Sequence, residues 1–244
     1  MKLPWLEPGE NVPPSKFAWG DDDPVPGLLA AGGSLDVDSL RDAYANAAFP
    51  WFNEHQPVLW WSPDPRMTLI PSEFKVHRSF RRTLKSFRSD LNSEIRVDTS
   101  FEAVVRACAA ASRRNQSGTW IGPQMIDAYC ALHKSGFAHS VETWIGNELV
   151  GGLYCVSIGR AVFGESMFST RPDASKTALA ALVCLCRENG VLLIDCQQNT
   201  GHLASLGGRE MRRSQFVSHV ESARSEPPVS WHFDPVYWNK LLSA

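Results

Sequence analysis

No apolar run in the sequence comes near the roughly 20 residues that a bilayer-spanning helix requires, which excludes a helical integral membrane protein. The start, MKLPWLEPGE, lacks the charged-then-apolar layout of a secretory leader, so the cytoplasm is the expected compartment. The six cysteines include no C-x-x-C pair and the seven histidines no H-E-x-x-H spacing, so neither a disulfide framework nor a metal site is expected. Cys108, Cys130, Cys155, Cys184, Cys186 and Cys196 fall mostly within apolar patterns and read as small buried hydrophobes. Charge of one sign is also scarce, since a net charge of -2 does not advertise a nucleic-acid binder.

What is present is enough apolar material for a substantial core: 43% of 244 residues, as one large domain or two unequal ones. Prolines and acids crowd residues 4–26, which predicts extended or looped chain. LLAAGGSL at 28–35 is a short apolar run with a glycine turn. Leu40, Ala43, Tyr44 and Ala47 then recur at helical spacing between Asp36 and Ala48. Phe49, Pro50, Trp51 and Phe52 form an aromatic corner, and Trp60 and Trp61 form another that runs into SPDPR at 62–66. Those prolines mark a domain junction, giving a small N-terminal domain over 1–64 and a larger one over 65–244.

The balance of charge hides one strongly basic segment, KVHRSFRRTLKSFR. Beginning at Lys75, it predicts a helix with Arg78, Arg81, Arg82, Lys85 and Arg88 on one face and Val76, Phe80, Leu84 and Phe87 on the other. Such a face is either ordinary solvated surface or a track for phosphates. A short polar link follows, then a helix from Ser100 to Arg113. A further helix starts at Pro123, with Ile126, Tyr129, Cys130 and His133 at spacings of three and four, and stops at Gly136.

From there the period changes. HSVETWI, ELVGGLYCVSI and AVFGESMF are strand-like and are separated by Gly146-Asn147 and Gly159-Arg160, which suit tight antiparallel turns. A helix carrying Leu179, Leu182, Val183 and Cys186 leads to a buried strand, VLLIDCQ. The order βββαβ predicts an α+β protein with a mixed sheet. Glu165 falls on the third strand, and Asp195 and Gln197 end the fourth. Strict alternation would set those last two side by side, with Cys196 pointing away. From the residues alone, Glu165 is equally a structural ion-pair partner or a site group, and Asp195 is equally a cap for a neighbouring loop or a site group. Ser166 is no hydrolase nucleophile, because GESMF lacks the second glycine of G-x-S-x-G. GRAVFGES has the glycine spacing of a phosphate loop but carries Glu165 where that loop needs lysine.

The βββαβ order is that of an acyl-transfer fold of the N-acetyltransferase (GNAT) type. More closely, the chain resembles the leucyl/phenylalanyl-tRNA-protein transferase family over roughly residues 24–216. The matching pieces are FPWF, LWWSPDPR, TWI, VGGLY, FGESMFS, ASKTAL, IDCQ and HLASLG, in that order. Ala47 and Ala48 stand where the family usually has a glycine, and the tail after 217 matches no motif. The resemblance implies transfer of leucine or phenylalanine, with methionine a further donor, from aminoacyl-tRNA to proteins beginning with arginine or lysine, within the N-degron route of degradation. It implies leucyl-tRNA, phenylalanyl-tRNA and the acceptor protein as partners, a monomer, no metal and no cofactor.

For the aminolysis that the resemblance implies, our hypothesis is a relay in which Asp195 orients and polarises the Gln197 amide toward the attacking amine, with Glu165 orienting the terminal adenosine or the aminoacyl group. Residue by residue, the resemblance has Trp51 and Trp120 enclosing the terminal adenosine, and Tyr129 shaping the same crevice. Leu153, Met167, Leu179, Leu182 and Ile194 form the aminoacyl side-chain pocket, and the basic helix becomes the acceptor-stem track. Two rivals are a coenzyme-A-dependent N-acetyltransferase and a non-catalytic tRNA-binding module. The first needs a glycine-rich turn at a helix start, where this chain has TRPDASK. The second leaves the clustering of Glu165, Asp195 and Gln197 without a purpose.

Overall fold

The computed structural model describes residues 2–111 and 121–243. In chain order its elements begin with β1 (Trp5–Leu6), β2 (Leu28–Gly32), α1 (Val37–Ala45), β3 (Phe49–Pro50) and β4 (Leu59–Trp61). These are followed by β5 (Arg66–Leu69), α2 (Arg78–Ser89), β6 (Ser93–Val97), α3 (Phe101–Ala110) and α4 (Pro123–Lys134). Then come β7 (Ala138–Ile145), β8 (Glu148–Ile158), β9 (Ala161–Ser169), α5 (Ala174–Glu188) and β10 (Ile194–Gln197). The last are α6 (Gly201–Ser205), β11 (Arg209–Met211), α7 (Arg213–Ala223) and α8 (Trp238–Leu242).

The strands form a four-stranded sheet, β1-β2-β4-β3, and a seven-stranded one, β11-β5-β10-β9-β8-β7-β6. The chain leaves the first at Trp61 and enters the second at Arg66. In the large sheet β9 and β10 run parallel, and the other neighbours are antiparallel. The architecture is therefore mixed α and β with mixed sheets.

Two cores cover the two faces of the large sheet, because alternate residues of one strand point to opposite sides. Tyr154 and Val156 of β8 join Phe163, α1, α3, α4 and the small sheet. Leu153 and Cys155 join Val162, α2, α5 and the chain's end. Helix α5 is buried over most of its length, so ASKTAL opens a core helix rather than a surface one. It lies close on β8 because Gly151 has no side chain: a Cβ there would stand 2.6 Å from Ala174 Cβ. The tail that matched no motif packs Val229, Phe233, Trp238 and Leu241 against that second core. Trp231 also stacks on His139 with ring centroids 4.1 Å apart.

Two local expectations are corrected. The polar link after the basic helix is strand β6, half-buried and paired with β7 along its whole length. The strand expected over VLLIDCQ starts only at Ile194, and Leu192 is 72% exposed. SPDPR runs directly into β5, a buried strand between β10 and β11.

Candidate active site

Two neighbouring strands lose strict alternation at the same level of the sheet. In β9, Gly164 is opposite Cys155 and Ser166 is opposite Tyr154, so Glu165 is the extra residue of a bulge. In β10, Asp195 is opposite Thr68 and Gln197 is opposite Met67, so Cys196 is the extra residue there. The parallel pairing of β9 with β10 ends at Phe163 and Asp195, just before both irregularities. Beyond that point lies a cavity of about 430 Å³.

This cavity is lined mainly by apolar groups, among them Leu153, Met167, Leu179, Leu182 and Ile194, so all five residues expected of a side-chain pocket face one space. Phe49, Trp51, Gln198, Thr200, His202 and Leu203 also line it. Glu165 and Gln197 supply polar groups to its wall, and the Gln197 amide donates from Nε2 to Glu165 Oε1 at 2.9 Å.

Behind Glu165 stands a buried tyrosine pair. The Tyr129 hydroxyl donates to Glu165 Oε2 at 3.0 Å and lies 2.6 Å from the Tyr44 hydroxyl. Burial pushes the Glu165 carboxyl up to about 7, against the downward pull of its hydrogen bonds from the tyrosines and Gln197. Burial and the adjoining Glu165 raise both phenols well above their usual range, so both stay protonated and able to donate. Tyr129 is fully buried, so its place is beneath Glu165 rather than at the crevice wall where it was expected.

The expected side-by-side arrangement of Asp195 and Gln197 is also corrected. Ile194 and Cys196 face the cavity, whereas Asp195 points to the other side of the sheet and is completely buried. There it takes both arms of Arg66, Nε to Oδ1 at 2.8 Å and Nη2 to Oδ2 at 2.6 Å. The bulge, with φ of +61° at Gln197, turns that side chain back to the cavity. Asp195 Oδ1 holds Gln197 through its backbone N–H at 2.9 Å, and the amide itself is bound by Glu165. Arg66 and Tyr44 were not among the expected site residues, although LWWSPDPR and the apolar stripe of α1 each contain one of them.

Trp51 is half-buried, edge-on to Trp61 at 5.5 Å, and its carbonyl accepts from Trp61 Nε1 at 2.6 Å. Trp120 lies outside the described residues. Burial, helped by the nearby Lys176 charge, lowers His202 below its ordinary range, so it meets the cavity as a neutral imidazole.

The basic helix starts at Arg78 rather than at Lys75; Arg78, Arg82, Lys85 and Arg88 on it, and Lys75 ahead of it, are exposed as expected. Arg81 departs from that face: it is half-buried and donates to the Leu242 carbonyl at 3.1 Å. The chain entering α2 is tied to the end of α6, whose His202 and Leu203 line the cavity, because Lys75 N–H bonds the Leu206 carbonyl and His77 contacts the Ser205 carbonyl at 2.7 Å. At the start of α5, Asp173 has φ of +61° and holds Lys176 at 2.7 Å and Thr83 at 3.1 Å. A carboxylate at that helix start opposes the pyrophosphate that coenzyme A would bring there.

Comparison with known proteins agrees in direction. The family model described as "Leucyl/phenylalanyl-tRNA protein transferase" matches residues 68–221, and the model of its N-terminal domain matches residues 33–64. A curated leucyl/phenylalanyl-tRNA--protein transferase of Polaromonas sp. (strain JS666) is 57% identical over 242 residues, covering 99% of this chain and 95% of that protein. That of Albidiferax ferrireducens is 54% identical over 241 residues, with the same coverage. That of Burkholderia vietnamiensis is 56% identical over 232 residues, covering 95% of this chain and 91% of its own.

Proposed function

The chain belongs to the leucyl/phenylalanyl-tRNA-protein transferase family and is an aminoacyltransferase; from that premise we propose how its cavity carries out the transfer. The donors are leucyl-tRNA and phenylalanyl-tRNA, and the acceptor is the α-amine of a protein beginning with arginine or lysine. The product enters the N-degron route in the cytoplasm, and the enzyme works as a monomer. The observation that carries the reading is the Glu165–Gln197 pair standing on the wall of an otherwise apolar cavity.

Aminolysis of the activated ester needs the amine held against the carbonyl and relieved of a proton as the new bond forms. Leu153, Met167, Leu179, Leu182 and Ile194 take the leucyl or phenylalanyl side chain by apolar contact. Trp51, together with Trp120, encloses the terminal adenine, since aromatic faces hold unpaired bases at about 1–3 kcal/mol each. With its N–H committed to Glu165 and its carbonyl oxygen bonded to no side chain or backbone group among the described residues, the Gln197 amide can accept a hydrogen bond from the attacking amine. Ionised Glu165 polarises that amide and strengthens the oxygen as an acceptor. Asp195 acts one step further back, on the Gln197 backbone.

Exposed cations of α2 track the acceptor stem toward α6, which meets both the entry of α2 and the cavity. We also infer a division near residue 64 and a GNAT-like larger domain. The separation of two parallel strands beside a helix that starts at their open end supports that assignment.

The test is transfer of labelled leucine from charged tRNA to a peptide starting with arginine, run beside labelled acetyl-coenzyme A. Leucyl transfer is the expected result. Acetyl transfer alone would overturn the reading.

A further inference from the structure

We propose that Arg66 is a positioning residue for aminoacyl transfer, fixing the Gln197 amide by way of Asp195. This rests on the assignment of Gln197 and Glu165 to the transfer site. Arg66 is wholly buried on β5, and its fork meets both Asp195 oxygens. Its guanidinium lies 4.8 Å from the ring centroid of Phe49 and 4.5 Å from that of Phe216. Nη1 points to the Ala47 carbonyl at 3.4 Å. The cation is therefore held by groups from β3, α7 and the turn after α1, and it passes that rigidity to Asp195.

Asp195 uses the rigidity at one atom. Its Oδ1 accepts the Gln197 N–H immediately after the extra residue of the bulge, where the sheet ladder is interrupted. Gln197 has φ of +61°, a region that residues other than glycine rarely enter. A fixed acceptor at that N–H holds the strained turn and so aims the amide at Glu165. A buried ion pair is a weak device for stability alone, because apolar residues of similar volume often replace one at no loss. What apolar residues cannot supply is a directed acceptor. Lysine could keep the charge but not the two-pronged grip.

The experiment compares Arg66→Lys, the double replacement Arg66→Met with Asp195→Leu, Gln197→Ala, and Arg66→Lys combined with Gln197→Ala. Each is assayed for leucyl transfer to an arginine-starting peptide and by thermal melting. We expect Arg66→Lys and the apolar double replacement to fold, with kcat at least about tenfold down and KM for leucyl-tRNA within about threefold. In the Gln197→Ala background, Arg66→Lys should change kcat by less than about twofold, since its effect passes through Gln197.

Wild-type kcat in the apolar double replacement would overturn the proposal, as would equal slowing by Arg66→Lys in both backgrounds. Failure of both variants to fold would assign the pair to stability, with the same consequence. A slow Gln197→Ala beside a fully active Arg66→Lys would remove only this inference. Wild-type kcat for Gln197→Ala would remove the site assignment and this inference with it.

Discussion

Gln197 and Glu165, whose strands part just before they meet, are joined by a 2.9 Å hydrogen bond at the wall of the cavity. The bond couples an amide, which does not titrate, to a carboxyl that ionises at about 7. Its acceptor strength therefore changes across physiological pH.

The first prediction is that kcat rises as pH increases through about 7 and that Glu165→Gln abolishes this step, leaving only the titration of the acceptor amine. Stability moves the other way. The folded value of about 7 lies above the ordinary 4.5, so the fold favours the neutral carboxyl. That contribution is complete below 4.5 and is lost as pH rises through about 7. The melting temperature of Glu165→Gln, measured relative to wild type, should be higher at about pH 8 than at about pH 5. An unchanged difference would mean that Glu165 ionises as it would in water.

A second prediction concerns α2. Replacing Arg78, Arg82 and Lys85 together by alanine should raise KM for charged tRNA and flatten its salt dependence, by about one unit of slope for each phosphate no longer neutralised. Arg81→Ala should leave that slope alone and lower the melting temperature, because Arg81 holds the carbonyl of Leu242. Identical salt slopes in the triple variant and wild type would return α2 to plain solvated surface.

Much of the framework was legible in the sequence because its signals are local. The apolar residues of α2, α4 and α5 recur at three and four, and β7, β8 and β9 are punctuated by glycine turns. The bulges were not legible, since whether Glu165 or Cys196 is an extra residue depends on its partner strand, β8 or β5. Arg66 was hidden for the same reason. Within SPDPR it looks like a polar junction residue, and the carboxylate that pairs its buried charge, Asp195, lies 129 positions later. Alternation placed Asp195 beside Gln197, and the bulge, which alternation cannot foresee, separated them.

A third prediction tests the close approach that sets one wall of the cavity. A Cβ at Gly151 would stand 2.6 Å from Ala174 Cβ and 2.7 Å from its carbonyl carbon, so backbone and not a flexible side chain would have to yield. Gly151→Ala should destabilise the protein by about 1–3 kcal/mol. It should also push the start of α5, and with it Leu179, away from β8. Denaturant unfolding measures the first effect. A stability equal to wild type would show that α5 can move without cost.

The fourth prediction concerns donor choice. Leu179 and Leu182 lie one turn apart on α5, and both face the cavity opposite Leu153 and Met167 of the sheet. Leu182→Phe adds bulk inside a space of about 430 Å³ that also holds the polar pair. Phenylalanyl donors need more of that space than leucyl donors, so they should lose more. Because a single methylene in an apolar pocket is worth about 1–3 kcal/mol, the ratio of kcat/KM for leucyl over phenylalanyl donors should rise by at least about tenfold. The reverse change, Leu182→Ala, should lower that ratio, provided activity is compared well below the reduced melting temperature that the lost packing brings. A ratio unmoved by both substitutions would place the aminoacyl side chain elsewhere, because one wall cannot gain and lose three carbons without altering what fits against it.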